Sequence, residues 1–147
     1  MIAGIIRWAK GIAMAFTLYN APQSTCSQRV RFVLNTKKLP FDEVKLNLLA
    51  GDQLKPDYLK LNPNGVVPTL DHDGQIVIDS NVITEYLDEV APQASFTPEN
   101  PVARARMRTL MHFIDEMPAA AVRVPTFNLA SRSATPFTRS RAACPAT

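Results

Sequence analysis

The chain has 147 residues, enough for one domain with a sizeable core, and its 46% hydrophobic and 20% charged content fits a globular protein. Its net charge of +3 hides an asymmetry: residues 1–100 carry 9 basic and 11 acidic side chains, a net −2, and residues 101–147 carry 7 and 2, a net +5. That excess is arginine without interleaved aromatics on a defined element, which argues against nucleic acid. Two cysteines, Cys26 and Cys144, make no disulfide framework and fit a reducing, cytoplasmic compartment, and no apolar run is long enough for a membrane span.

The opening MIAGIIRWAKGIA is apolar with Arg7 and Lys10, but lacks a formed signal-peptide n-region and cleavage site. Residues 1–13 therefore read as an upstream extension or a misplaced start. FTLYN (16–20) alternates and is aromatic, the pattern of a short strand. Residues 25–38 place Val30, Val33 and Leu34 on one helical face. Ser24 is their natural N-cap, and Lys37 and Lys38 suit the negative C-terminal end. FDEVKLNLL (41–49) alternates as a second strand, with Phe41, Val44 and Leu46 or Leu48 apolar. The turn-rich segment after it holds a short helical piece around Lys55–Leu61.

In VVPTLDHDGQIVIDS, two apolar runs flank Asp73-Gly74, a dipeptide suited to a tight hairpin turn. Ser80 then caps a helix of about ten residues, with Val82, Ile83, Tyr86, Leu87 and Val90 as its stripe. Pro92 and Pro98 mark a linker over 92–100. A longer helix at 102–117 aligns Met107, Leu110, Met111, Ile114 and Met117. Beyond Pro118 the pattern weakens, and residues 131–147 read as a disordered tail. The order β-α-β-α-β-β-α implies a parallel first pair with a right-handed crossover, then an antiparallel hairpin. The expected fold is α/β: a thioredoxin-like domain over 14–91 with a four-stranded mixed sheet and helices on both faces. The start of an all-α domain follows over 101–130.

Three stretches carry chemistry. At STCS (24–27), a helix N-terminus offers free N–H groups and a positive dipole end, which favour a thiolate over a thiol. Ser24 can add a hydrogen bond to sulfur; the plainer reading is a cap beside a small apolar cysteine, Cys26. In NGVVPTL (64–70), Pro68 enters an apolar strand, where a proline needs a reason. A cis Val67–Pro68 bond would turn the Val67 N–H and C=O outward to pair with a peptide-like ligand; an edge-strand proline is the alternative. In DSNVITEYLDE (79–89), Ser80 and the first N–H groups can hold an anion and Asp79 an amine, or the pair is a simple cap. A thiolate site, a backbone-pairing site and an amino-acid site on one cleft describe glutathione.

These stretches resemble a known family. From about Met14 to Met117 the chain looks like a bacterial glutathione S-transferase of theta- or zeta-like type. STCSQRVRFVL resembles the zeta-class signature serine–serine–cysteine–x–tryptophan–arginine–valine–arginine, NPNGVVPTL the cis-proline loop, and DSNVITEYLDE the serine site that leads into the third helix. The resemblance implies that Ser24 activates glutathione's sulfur and that Cys26 assists binding or forms mixed disulfides. It implies that Val67, with Pro68 cis, pairs with the cysteinyl backbone. Asp79 and Ser80 would hold the γ-glutamyl amine and carboxylate, and Gln53 or Lys55 would reach the glycyl carboxylate. Glutathione would be the co-substrate, with no metal, and a small electrophile the second substrate. Family dimers use the helix at 102–117, so a homodimer through it is implied, with neither nucleic acid nor membrane as partner.

Departures accompany the likeness. Asp79 replaces a longer Glu or Gln, and Gln28 stands where the signature has tryptophan, which argues against a true maleylacetoacetate isomerase. The resemblance implies a helical second domain that supplies the electrophile pocket, of which only the first helix and the start of the connection to a second are expected here; the tail's composition would fit a truncated or frameshifted reading frame. Three functions are therefore expected in order: a glutathione transferase impaired by truncation, a non-catalytic glutathione-binding or interaction module, and a monothiol redox protein using Cys26.

Overall fold

Four strands form one sheet in the order β2-β1-β3-β4. β1 (Phe16–Asn20) pairs in parallel with β2 (Phe41–Lys45) and antiparallel with β3 (Thr69–His72), which pairs antiparallel with β4 (Gln75–Ile78). The helices are α1 (Thr25–Thr36), α2 (Pro56–Leu61), α3 (Ser80–Val90) and α4 (Pro101–Glu116), with a 3-10 turn at Asp52–Leu54. This is the expected thioredoxin-like mixed sheet. The computed structural model describes residues 15–93 and 95–119, together with 121, 122, 124, 125 and 128. The expectations for residues 1–13 and 131–147 lie outside them.

Strand alternation divides the layers. Phe16 and Leu18 of β1 point to one face, where they meet Val30, Val33 and Leu34 of α1, Leu70 of β3, and Ile83 and Leu87 of α3. Tyr19, one residue out of phase, faces the other way, 6.2 Å ring to ring from Tyr58 of α2. The hairpin turn has the two positive φ angles that its twist demands, 52° at Asp73 and 84° at Gly74. Asp71 Oδ1 accepts the Gly74 N–H at 2.7 Å and locks it.

Several boundaries and roles differ from expectation. β2 stops at Lys45 instead of running to 49, and Val44 is exposed. As the sheet's edge strand, β2 has a neighbour on one side only, and Leu46 turns inward just beyond it. α1 ends at Thr36, and α4 starts at Pro101, where Asn100 Oδ1 accepts the N–H groups of Val102 and Ala103. On α3, Val82 is exposed while Thr84 and Asp88 are buried. Asp88 can be buried because Lys37 Nζ lies 2.8 Å from its Oδ1, with side chains 1% and 5% exposed. Lys37, expected to serve the helix dipole alone, also donates to the carbonyls of Ala91 (2.6 Å) and Gln93 (3.4 Å). Asp88 in turn accepts the Ser95 hydroxyl at 2.7 Å and the Phe96 N–H at 2.9 Å.

The chain divides into two compact units, one ending at Phe96 and one starting at Thr97. In the second, α4 buries no residue, and Leu110, Phe113, Ile114 and Met117 are exposed.

Candidate functional site

Register decides what the sheet brings together. Asn20 at the end of β1 lies opposite Lys45 at the end of β2; Tyr19 lies opposite Thr69 at the start of β3, and Thr69 opposite Ile78 at the end of β4. The segments holding Ser24, Gln53 and Lys55, Val67–Pro68, and Asp79–Ser80 all leave the sheet from this one edge. It is the carboxyl edge of the parallel pair, the usual place for ligands in α/β sheets.

Ser24 caps α1, its Oγ accepting the Ser27 N–H at 3.2 Å. The turn before it is braced from below. Arg31 donates to the buried Asn20 Oδ1 at 2.8 Å and to the Pro22 carbonyl at 3.0 Å, and the Ser24 N–H reaches the Ala21 carbonyl at 3.0 Å. Arg31 also lies 3.4 Å from Glu43. Burial of Glu43 works to raise its pKa, but bonds from Asn20, Lys45 and Arg31 together outweigh it and hold the carboxyl below the ordinary range. Cys26, two residues past Ser24, is a half-buried free thiol.

The Val67–Pro68 bond is cis, as the sequence suggests. Pro68 is buried and Val67 half-exposed. No described residue hydrogen-bonds the Val67 N–H or C=O. The flanking chain is fixed instead. Tyr58 OH donates to the Val66 carbonyl at 2.6 Å and contacts Thr69 Oγ1 at 2.8 Å; Asn62 Nδ2 reaches the same two oxygens at 2.9 and 3.0 Å. Burial pushes the Tyr58 phenol's pKa up against the lowering pull of Thr69 and Asn62, so it stays a donor. Tyr58 and Asn62 carry no site role in the sequence reading. The asparagine in "NPNG" is their only signal, because the partners lie up to 11 residues apart.

At the start of α3 the cap is Asp79, not Ser80. Asp79 Oδ1 accepts the N–H groups of Asn81 (2.8 Å) and Val82 (3.2 Å), and its φ of 72° is rare for a residue with a side chain. That φ moves Asp79 into the cap position and leaves Ser80 as the first helical residue, 5% exposed. Arg29 of α1 donates to Ser80 Oγ at 3.2 Å and to Asn81 Oδ1. The sequence marks Arg29 only as a letter of a signature.

The two residues expected at the far end differ. Gln53 has a buried Oε1 with no partner among the described residues. Lys55 is exposed and pairs with Asp52 at 2.7 Å. That bond, helped by the Asn47 N–H, pulls the Asp52 carboxyl below the ordinary range. Among the described residues no group of His, Cys, Asp and Glu could hold a metal, and no helix is long and apolar enough to cross a membrane.

Residues 18–95 match the family model for the glutathione S-transferase N-terminal domain. The maleylacetoacetate isomerase of Aspergillus fumigatus is 39% identical over 119 residues, 74% of this chain and 52% of that protein. The enzyme of the same name from Pseudomonas aeruginosa is 43% identical over 94 residues, 62% of this chain and 44% of its own. A glutathione transferase homologue from Sulfitobacter, solved with bound glutathione, superposes with a TM-score of 0.65 at 34% identity, over 69% of this chain and 49% of that one. The chain thus spans about half the length of the curated relatives it matches. Gln28, which stands where the zeta-class signature has tryptophan, is exposed, and its Nε2 donates to the Pro22 carbonyl at 3.2 Å.

Proposed function

We propose, from the premise that this chain belongs to the glutathione S-transferase family, that it binds glutathione along the carboxyl edge of its sheet and activates the thiol for attack on an electrophilic carbon. The observation that carries this is the register that sends Ser24, Val67 and Ser80 out of one edge, with the Val67 backbone unpaired. Val67 takes the cysteinyl backbone as an added strand would, with the cis Pro68 aiming it. Ser80 takes the γ-glutamyl carboxylate, and the Asp79 oxygen not used for capping takes the amine. At the glycyl end, the unsatisfied Gln53 Oε1 can accept the glycyl N–H, and Lys55, paired with Asp52 through one of its three donors, keeps others for the glycyl carboxylate.

The cysteinyl sulfur then lies near Ser24. The hydroxyl donates to the thiolate while the start of α1 adds its positive end, lowering a thiol pKa of ~8.5 toward neutrality. The thiolate forms a C–S bond and displaces a leaving group with its electron pair. With an activated cis alkene it instead adds, lets the former double bond rotate, and is expelled again, so glutathione is regenerated. The names of the isomerase relatives support this second course. Cys26 is close enough in sequence to assist, and α4 offers an apolar face to a second copy.

Isothermal titration with glutathione, beside turnover of an aryl halide and of a maleyl-type cis alkene, tests the reading. Binding with turnover that Ser24→Ala abolishes is expected. Absence of binding overturns it. Binding without turnover favours a glutathione-binding module, a reading supported by the uncovered face of α4. Disulfide exchange lost only in Cys26→Ala would point to redox work instead.

A further inference from the structure

Arg29 joins the helix that begins beside Ser24 to the start of α3. It leaves α1 within two turns of Ser24 and reaches 51 residues along the chain to Ser80 Oγ, at 3.2 Å, and to Asn81 Oδ1. A serine hydroxyl has one proton to give and two lone pairs to offer. A guanidinium only donates, so its contact consumes a lone pair and leaves the Ser80 proton to point elsewhere. Among the described residues nothing accepts that proton, although Ser80 is 5% exposed. A buried hydroxyl with an unspent donor is costly unless something takes it. The N–H groups of Asn81 and Val82 cannot compete for an incoming anion, because Asp79 Oδ1 already caps them.

We propose that Arg29 is a positioning residue that commits the Ser80 hydroxyl to donating, and so makes the start of α3 a receptor for the ligand's amino-acid carboxylate. This rests on the glutathione-binding reading and extends it: the selectivity for a free γ-glutamyl end resides in an α1 residue that touches Ser80, not the ligand. Without the arginine, Ser80 can turn its proton inward to Asn81 Oδ1 and present lone pairs to the anion. Arg29→Gln should then weaken an anion contact by about tenfold or more, the scale of one charged hydrogen bond.

The test is titration of the folded full chain with glutathione and with cysteinylglycine, which lacks the γ-glutamyl group. The proteins are wild type, Arg29→Gln, Ser80→Ala and the double variant, with thermal melts to confirm folding. Arg29→Gln is expected to weaken glutathione about tenfold and to leave cysteinylglycine unchanged. The double variant should be no weaker than Ser80→Ala, because the arginine acts through the serine. Additive losses, or parallel loss of cysteinylglycine, overturn the assignment and reduce Arg29 to a general brace between α1 and α3. If wild type itself ignores glutathione, the function proposed above fails and takes this inference with it. Should Arg29→Gln not fold, Arg29→Lys is the second variant. Its single ammonium cannot serve both oxygens with the fork's geometry, and an affinity equal to wild type would sink the proposal.

Discussion

The unit ending at Phe96 and the unit from Thr97 onward obey the same helix rules and reach opposite results. α1 and α4 both have a polar N-cap whose oxygen accepts backbone N–H groups, Ser24 and Asn100. Both carry apolar residues at helical spacing. α1 buries Val30, Val33 and Leu34 against strands and α3; α4 buries nothing. Local signals suffice to start a helix, but a core needs a second surface, which the sheet supplies to α1.

The largest effect should come from the charge sealed inside the first unit. Lys37→Met leaves the Asp88 carboxylate buried without its cation, and a loss of about 3–5 kcal/mol is expected from urea denaturation. A loss under about 1 kcal/mol would mean that water reaches this pair and that the unit is less closed than described. Next comes a matched pair of truncations. Leu34→Ala should cost about 2–5 kcal/mol, whereas Leu110→Ala, exposed on α4, should cost less than about 0.5 kcal/mol in dilute solution. A comparable cost at both positions, growing with protein concentration, would erase the contrast and show a second copy covering α4; light scattering would then find a dimer.

Tyr58→Phe should cost about 1 kcal/mol, because Asn62 still holds the Val66 carbonyl and Thr69. Its more telling readout is glutathione affinity, which should fall if the loop that carries Val67 loosens. The smallest effect lies at the sheet edge. The Glu43 carboxyl is depressed when folded, so its contribution is present above its unfolded pKa and is lost as pH falls through the folded one. Glu43→Gln should therefore flatten the acid limb of stability below pH ~4, by less than about 0.5 kcal/mol at this partly exposed site. A larger change would make the edge as well sealed as the centre.

Much of this was legible in the sequence because the signals are local. Asp73-Gly74 names its own turn, Ser24 sits one residue before a periodic run, and Pro68 in an apolar strand announces an unusual backbone. The failures share a different cause. Asp79 and Ser80 are both good caps, and only the 72° φ of Asp79 decides between them. Val44 is apolar like a core residue, but the register sets it opposite Tyr19, on the face turned away from the core, in an edge strand. Arg29 with Ser80 and Lys37 with Asp88 are each separated by 51 residues, so neither partner announces the other until the α1–α3 packing exists. The candidate site was legible as a set of segments; the side chains that orient it were not.

The Lys37–Asp88 pair also fixes where the first unit can be cut. The pair also bonds to main-chain groups of Ala91, Gln93 and Phe96 and to the Ser95 hydroxyl. A fragment ending at Val90, where α3 ends, would strip four partners from two buried charges at once. The shortest self-sufficient piece therefore runs through Phe96, whose ring also lies 5.0 Å from the lysine nitrogen. A protease sampling the segment between α3 and α4 should find its first productive cleavage after that phenylalanine rather than before it.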